Sequence, residues 1–263
     1  MELLSGRRGP QLTGSGLVGL SGFAGSGKDA GGNFLVQDFG FCKVALADPL
    51  KRIARDVYAF TDEQLWGASQ FRNAPDKRYP RTCKTCEGMG SIQPRSVTQP
   101  TSPCYACHGE KVTYLTPREA LQKLGTEWGR ECYPNTWVDL CIRTGEYLLN
   151  FPHARYDQKK GVYHVVDPSE TLHGADAIFD GRVRGVAVTD VRFKNEIKAI
   201  KEAGGQVIRI ARPGAGLDGS GALHVSETEQ AGIPNSEFDA VIQNTGTLDD
   251  LRTKIREYMS AAA

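Results

Sequence analysis

The chain has 263 residues, 40% of them hydrophobic, enough for one sizeable α/β core with insertions or for two small domains; the first is expected. A formal charge of +1 excludes a global basic field, so nucleic-acid binding would need a local patch and is not expected. No apolar run is long enough to cross a bilayer, and the start MELLSGRRGPQLTGSG lacks the apolar middle of a signal peptide, which points to the cytoplasm.

Residues 1–16, rich in Gly, Ser and Arg, read as a flexible arm, and residues 17–263 as one phosphate-loop domain. Leu17-Val18-Gly19-Leu20 is a short apolar run suited to a buried strand, and Gly22-Phe-Ala-Gly25-Ser26-Gly27-Lys28 turns the chain toward a helix. In G-x-x-x-x-G-K the glycines let backbone N–H groups curl around a phosphate, the lysine reaches the outer phosphates, and the helix N-terminus adds its dipole. A nucleoside triphosphate is the expected occupant of Gly25, Ser26, Gly27, Lys28, Asp29 and Ala30. The usual Ser or Thr after the lysine, whose hydroxyl ligates Mg²⁺, is replaced by Asp29 and Ala30, so Asp29 is read as an outer-sphere ligand. The competing reading is a glycine-rich turn that holds nothing.

A short helix is expected over Asp29–Asp38, a strand over Phe41–Ala47, and a helix opening at Asp48-Pro49. Lys51 then stands near a strand end beside the phosphate loop, as a substrate ligand or as a solvated helix lysine. Thr61–Trp66 reads as a short capped helix. Residues 78–112 contain Cys83-x-x-Cys86 and Cys104-x-x-Cys107, each followed by glycines, and paired knuckles at this spacing are a zinc signature. All four ligands being protein thiolates, the zinc is expected to be structural; disulfides are the alternative. Cys42, Cys132 and Cys141 are expected to be buried packing residues.

Thr116-Pro117-Arg118-Glu119 opens a helix whose Ala120, Leu121, Leu124 and Trp128 recur at helical spacing and should face the core. Gly125-Thr126 interrupts that face where a ligand could reach the backbone. A second helix is expected over Asn135–Gly145, with Trp137 either in the core or stacking on a base. Residues 150–184 read as an inserted hairpin and loop around Lys160-Gly161, with His153, His164 and His173 at the surface.

The run GVAV from Gly185 predicts a buried strand that delivers Asp190 to its carboxyl end, where an acid can hold Mg²⁺ waters or a nucleotide sugar. Arg192 and Glu196 follow at a spacing of four; a surface ion pair of Asp190 and Arg192 is the bland alternative. Gln206–Ala211 is a further strand, Arg212 opens a glycine-rich loop read as closing over the triphosphate, and His224-Val-Ser226-Glu227 could anchor it. Asp239–Asn244 is the last strand, and Thr247–Met259 a helix with Leu248, Leu251, Ile255 and Met259 inward.

The ordered motifs GFAGSGKD (22–29), ADPLK (47–51), TPREALQKLGTEWGR (116–130), TDVRFKNE (189–196), RIARPG (209–214), HVSE (224–227) and IQNTGTLDDL (242–251) resemble those of the bacteriophage deoxynucleoside monophosphate kinases. The resemblance implies a mostly parallel sheet flanked by helices, of the P-loop NTPase type; the small zinc-ribbon insertion is foreign to the family pattern and rests on the cysteine spacing alone. It implies transfer of the γ-phosphoryl group of ATP, with Mg²⁺, to a deoxynucleoside 5′-monophosphate. Lys28, Asp190 and Arg192 are then catalytic, and Lys51, Arg118, Gly125, Thr126, Trp137, Asp190, Arg192 and Glu196 match positions that line the monophosphate site. Where this chain has Ala30 the family typically has Thr. Small-molecule nucleotides are the expected partners, a homodimer is compatible with the sequence, and the alternatives are another small-molecule kinase on this fold or a zinc-ribbon nucleic-acid-binding NTPase.

Overall fold

The computed structural model describes residues 16–92, 101–165, 179, 181–216 and 225–262, with only the backbone of 225–227. The expected arm, apart from Gly16, lies outside the described residues, as do His173 and His224. The chain forms two compact units, residues 1–49 with 132–263, and residues 50–131.

The first unit contains β1 (Leu17–Ser21), α1 (Lys28–Phe39), β2 (Phe41–Ala45), α2 (Thr136–Asn150), β3 (Ala154–Asp157), β4 (Val162–Val165), β5 (Gly185–Val191), α3 (Lys194–Glu202), β6 (Gln206–Ala211), α4 (Val225–Gly232), β7 (Ala240–Gln243) and α5 (Leu248–Ala261). Five strands form one sheet in the order β7-β6-β1-β5-β2, every neighbouring pair parallel. Parallel strands covered on both faces need continuous apolar runs, which is why LVGLS and GVAV read as they do. Val18, Leu20, Leu35, Ile208, Ile210, Leu251, Ile255 and Met259 belong to one core cluster of this unit. Asp38 near the end of α1 receives both Arg252 (Nε to Oδ2, 2.8 Å) and Arg256 (Nε to Oδ2, 2.9 Å) from α5.

Two expectations about helices in this unit are corrected. α2 runs through Gly145 to Asn150, because this glycine is a close-approach residue: a Cβ there would stand 2.7 Å from a Leu17 methyl. Leu248 is 60% exposed, while Leu251, Ile255 and Met259 are buried as expected. Leu248 is the first residue of α5, and its Cβ leans toward the N-terminus, off the face that packs. The expected hairpin is present as β3 and β4, paired antiparallel around Lys160-Gly161. Cys42 and Cys141 are buried, but Cys132, at the end of the helical segment before α2, is exposed.

In the second unit, helix Asp62–Trp66 starts from a capping box between Thr61 and Gln64. Strand Pro80–Thr82 pairs antiparallel with Val112–Tyr114, and Ser91–Ile92 with Ser102–Pro103. A small core of Ala54, Phe60, Leu65, Leu115 and Ala120 lies beside them. Helix Pro117–Gln122 starts at a Thr116 cap and continues into a π-helix, Lys123–Arg130. This corrects the expected apolar stripe: i→i+5 bonding widens the turn, so Trp128, eight residues after the buried Ala120, is carried off that face and is 54% exposed.

Candidate active site

Strand β1 ends at Ser21 and α1 begins at Lys28, so residues 22–27 form a tight loop between the carboxyl end of a central strand and a helix N-terminus. Gly27 is the N-cap, at φ 99°, with no side-chain cap on the amides that follow it. Those amides, with the helix dipole, suit an anion. Inside the loop the Ser26 amide donates to Phe23 O (3.1 Å), and Gly31 donates to Gly27 O (2.9 Å). Lys28 and Ser26 are buried, Asp29 is exposed and Ala30 half-buried. Ala30 brings no hydroxyl to the loop.

Lys28 Nζ stands 3.7 Å from Asp190 Oδ1. The strand pairing explains how Asp190 comes to face it. Gly19 pairs with Val188 but Ser21 pairs with Val191, so β5 carries one extra residue over this step. Asp190 lies in that bulge, at φ 66°, a conformation uncommon for any residue but glycine. Bulges turn a side chain out of the pleat's alternation, and here the one turned out carries the carboxylate.

Glu196 is 1% exposed, and its Oε2 accepts from the Arg192 amide (2.8 Å) and the Phe193 amide (3.1 Å). It therefore closes the N-terminus of α3 and fixes the backbone that carries Arg192. Asn195 of the same segment donates to Asn135 Oδ1 (2.8 Å) and to Pro134 O (3.0 Å). Arg212 is exposed just past the end of β6. Residues 217–224 of the expected anchored loop, and the side chains of Ser226 and Glu227, lie outside the described set.

The eight residues expected at the acceptor are divided between the units. Trp137, Asp190, Arg192 and Glu196 belong to the first, and Lys51, Arg118, Gly125 and Thr126 to the second. Trp137 is 4% exposed near the start of α2, as a core residue would be. Lys51 Nζ lies over the Trp66 ring, 5.5 Å from its centroid, and Arg118 Nε donates to Asn73 Oδ1. Gly125 and Thr126 sit in the π-helix, where the Gly125 carbonyl accepts from Arg130 Nη1 (3.1 Å). Nothing in the spacing of TPREALQKLGTEWGR announces that helix type.

The four knuckle cysteines are at most 4% exposed, and their sulfurs all lie within 4.8 Å of one another. Cys83 and Cys104 Sγ are 3.8 Å apart, Cys86 and Cys107 Sγ 3.7 Å. Thiolates held about 2.3 Å from a tetrahedral zinc stand about 3.8 Å apart, so the set fits that ion. The two knuckles match each other: the Cys83 amide donates to Lys111 O and the Cys104 amide to Gly90 O, both at 2.9 Å. The Gly90 amide also points at Cys86 Sγ (3.2 Å). The Cys86 backbone amide helps bring the Cys83 thiol down to about 7, while burial pushes Cys107 up to about 11.

Comparison with known proteins bears on the same residues. A family profile described as deoxynucleotide monophosphate kinase matches residues 176–255, which include β5, Asp190, Arg192 and the first half of α5. A protein of Acanthamoeba polyphaga mimivirus, provisionally named deoxynucleotide monophosphate kinase, is 28% identical over 239 residues, covering 91% of this chain and 93% of its own. The protein of Enterobacteria phage T4 named deoxynucleotide monophosphate kinase is 24% identical over 254 residues, covering 91% of this chain and 97% of its own. The resemblance read from the motifs is thereby borne out over most of the chain. Among the described residues no helix is long and apolar enough to cross a membrane.

Proposed function

We propose that this chain, which resembles deoxynucleotide monophosphate kinases over nine-tenths of its length, transfers the γ-phosphoryl group of ATP to a deoxynucleoside 5′-monophosphate. The observation that carries the reading is the pairing of Lys28 with Asp190 at the end of a glycine loop that opens a helix. Gly25, Ser26 and Gly27 offer backbone to the phosphates, Lys28 neutralises the outer ones, and Arg212 adds a cation from the strand end. Asp190 and the exposed Asp29 are the carboxylates that would hold Mg²⁺ through its waters. The ion, when bound, neutralises charge on the transferring group.

Arg192 and Arg118 serve the acceptor phosphate, because a guanidinium fork donates two parallel charged hydrogen bonds to it. Lys51, Gly125, Thr126 and Trp137 belong to the acceptor set that the resemblance implies. Glu196 acts through the backbone of Arg192. The acceptor is already a dianion near neutral pH, so alignment and charge stabilisation suffice and no general base is required. The four cysteines hold a structural zinc and take no part in the transfer. The viral relatives fit a cytoplasmic enzyme of DNA-precursor synthesis in an infected cell.

The test is a panel of deoxy- and ribonucleoside monophosphates with ATP and Mg²⁺, read by coupled ADP release. Turnover of at least one deoxynucleoside monophosphate is expected. ADP release that does not depend on any nucleotide acceptor would overturn the reading in favour of another kinase on this fold.

A further inference from the structure

A phosphate loop must turn its carbonyls away from the anion while turning its amides toward it, and each carbonyl so turned needs a donor behind it. In this chain four such carbonyls have a donor that can be traced. Phe23 O takes the Ser26 amide, Ala24 O takes the Gly216 amide (3.0 Å), and Gly27 O takes the Gly31 amide, all from backbone. Ser26 O takes a side chain, Asn244 Nδ2, at 2.8 Å. Asn244 stands just past the end of β7 and is 2% exposed. Its own amide donates to Ala211 O (2.7 Å), which fixes it to the last residue of β6.

The trans peptide between Ser26 and Gly27 is planar, so its N–H points opposite to its C=O. Drawing the Ser26 carbonyl toward Asn244 therefore turns the Gly27 N–H the other way. Gly27 shows how close the contact is: a Cβ there would meet Asn244 Nδ2 at 2.6 Å. Among the described residues the Gly27 amide has no protein acceptor.

We propose that Asn244 is a positioning residue of the phosphate loop, whose bond to the Ser26 carbonyl aims the Gly27 amide at the triphosphate. The proposal rests on the kinase reading for its ligand, but its geometry lies wholly within the first unit. Asparagine suits the post because its amide is a neutral donor that can be buried against the carbonyl without bringing a charge. Aspartate in its place would set a carboxylate against a carbonyl and release the peptide.

The experiment measures ATP affinity by calorimetry, together with KM for ATP and for the monophosphate, in wild type, Asn244→Asp and Asn244→Ala. The proposal expects ATP affinity to fall about tenfold or more in Asn244→Asp, and less in Asn244→Ala, with KM for the monophosphate within about twofold of wild type. ATP affinity unchanged in a folded Asn244→Asp overturns it, as does an equal loss for both substrates, which marks general damage. If Asn244→Asp does not fold, Asn244→Ala decides on the same criteria. Should wild type bind ATP but phosphorylate no nucleotide, the kinase reading fails and the calorimetric ratio still judges Asn244. Should wild type not bind ATP, both fall.

Discussion

Lys28 and Asp190 stand 3.7 Å apart because a bulge in β5 puts Asp190 out of alternation, at φ 66°. On the kinase reading the pair joins a function to a local cost, since a β-carbon in the left-handed region is strained. Asp190→Gly should therefore raise stability by up to about 1 kcal/mol, read by urea unfolding, while turnover falls about 100-fold or more. Lys28→Ala should match that loss of turnover without the gain in stability. An Asp190→Gly protein that is both less stable and fully active would contradict both halves of the argument.

On the kinase reading Arg192 is a ligand of the acceptor and Glu196 is its support. Arg192→Ala should raise KM for the monophosphate and lower kcat while ATP affinity stays near wild type. Glu196→Ala leaves one buried and one part-buried amide without their acceptor, at about 1–3 kcal/mol, and should shift the same KM. Glu196→Gln keeps an acceptor oxygen and should restore most of both. Steady-state kinetics with the second substrate varied, set beside melting curves, separate these outcomes.

Asp38 supplies a pH dependence. Arg252 and Arg256 hold its carboxyl down, from 3.8 to about 2, against the opposing effect of burial. A carboxylate whose folded value lies below its unfolded one stabilises above the unfolded value and loses that contribution as pH falls through the folded one. Asp38 should thus give about 1–2 kcal/mol at neutral pH, discounted for the partly exposed arginines, fading between about pH 4 and 2. Asp38→Asn should unfold at lower urea near pH 7, and the difference from wild type should shrink toward pH 2.

The cysteine cluster predicts about one zinc per chain by metal analysis. Cys104→Ser or a strong chelator should remove the metal and increase proteolysis within residues 80–114, because the short strands there bury little else. Cys132→Ser, at the exposed cysteine outside the cluster, should change neither metal content nor proteolysis. Purified protein without metal, cut at the same rate as a chelated sample, would remove zinc from the account.

The sequence by itself determined the strands, the glycine loop and the cysteine ligand set, because these rest on short-range regularities. Apolar runs bounded by Gly and Asp-Pro, a G-x-x-x-x-G-K spacing and each C-x-x-C knuckle carry their geometry within a dozen residues. The same locality explains its errors. Trp128 and Leu248 fit an α-helical stripe on paper, but the first is displaced by a π-helix and the second stands at the outermost position of its helix.

Only the tertiary structure decided how functional groups from distant segments meet. The one-residue shift between β1 and β5 faces Asp190 to Lys28, and the end of β7 brings Asn244 to Ser26 across 218 residues of chain. Pairing register and contacts between segments far apart are set by how a whole sheet packs, and no local pattern of residues encodes them.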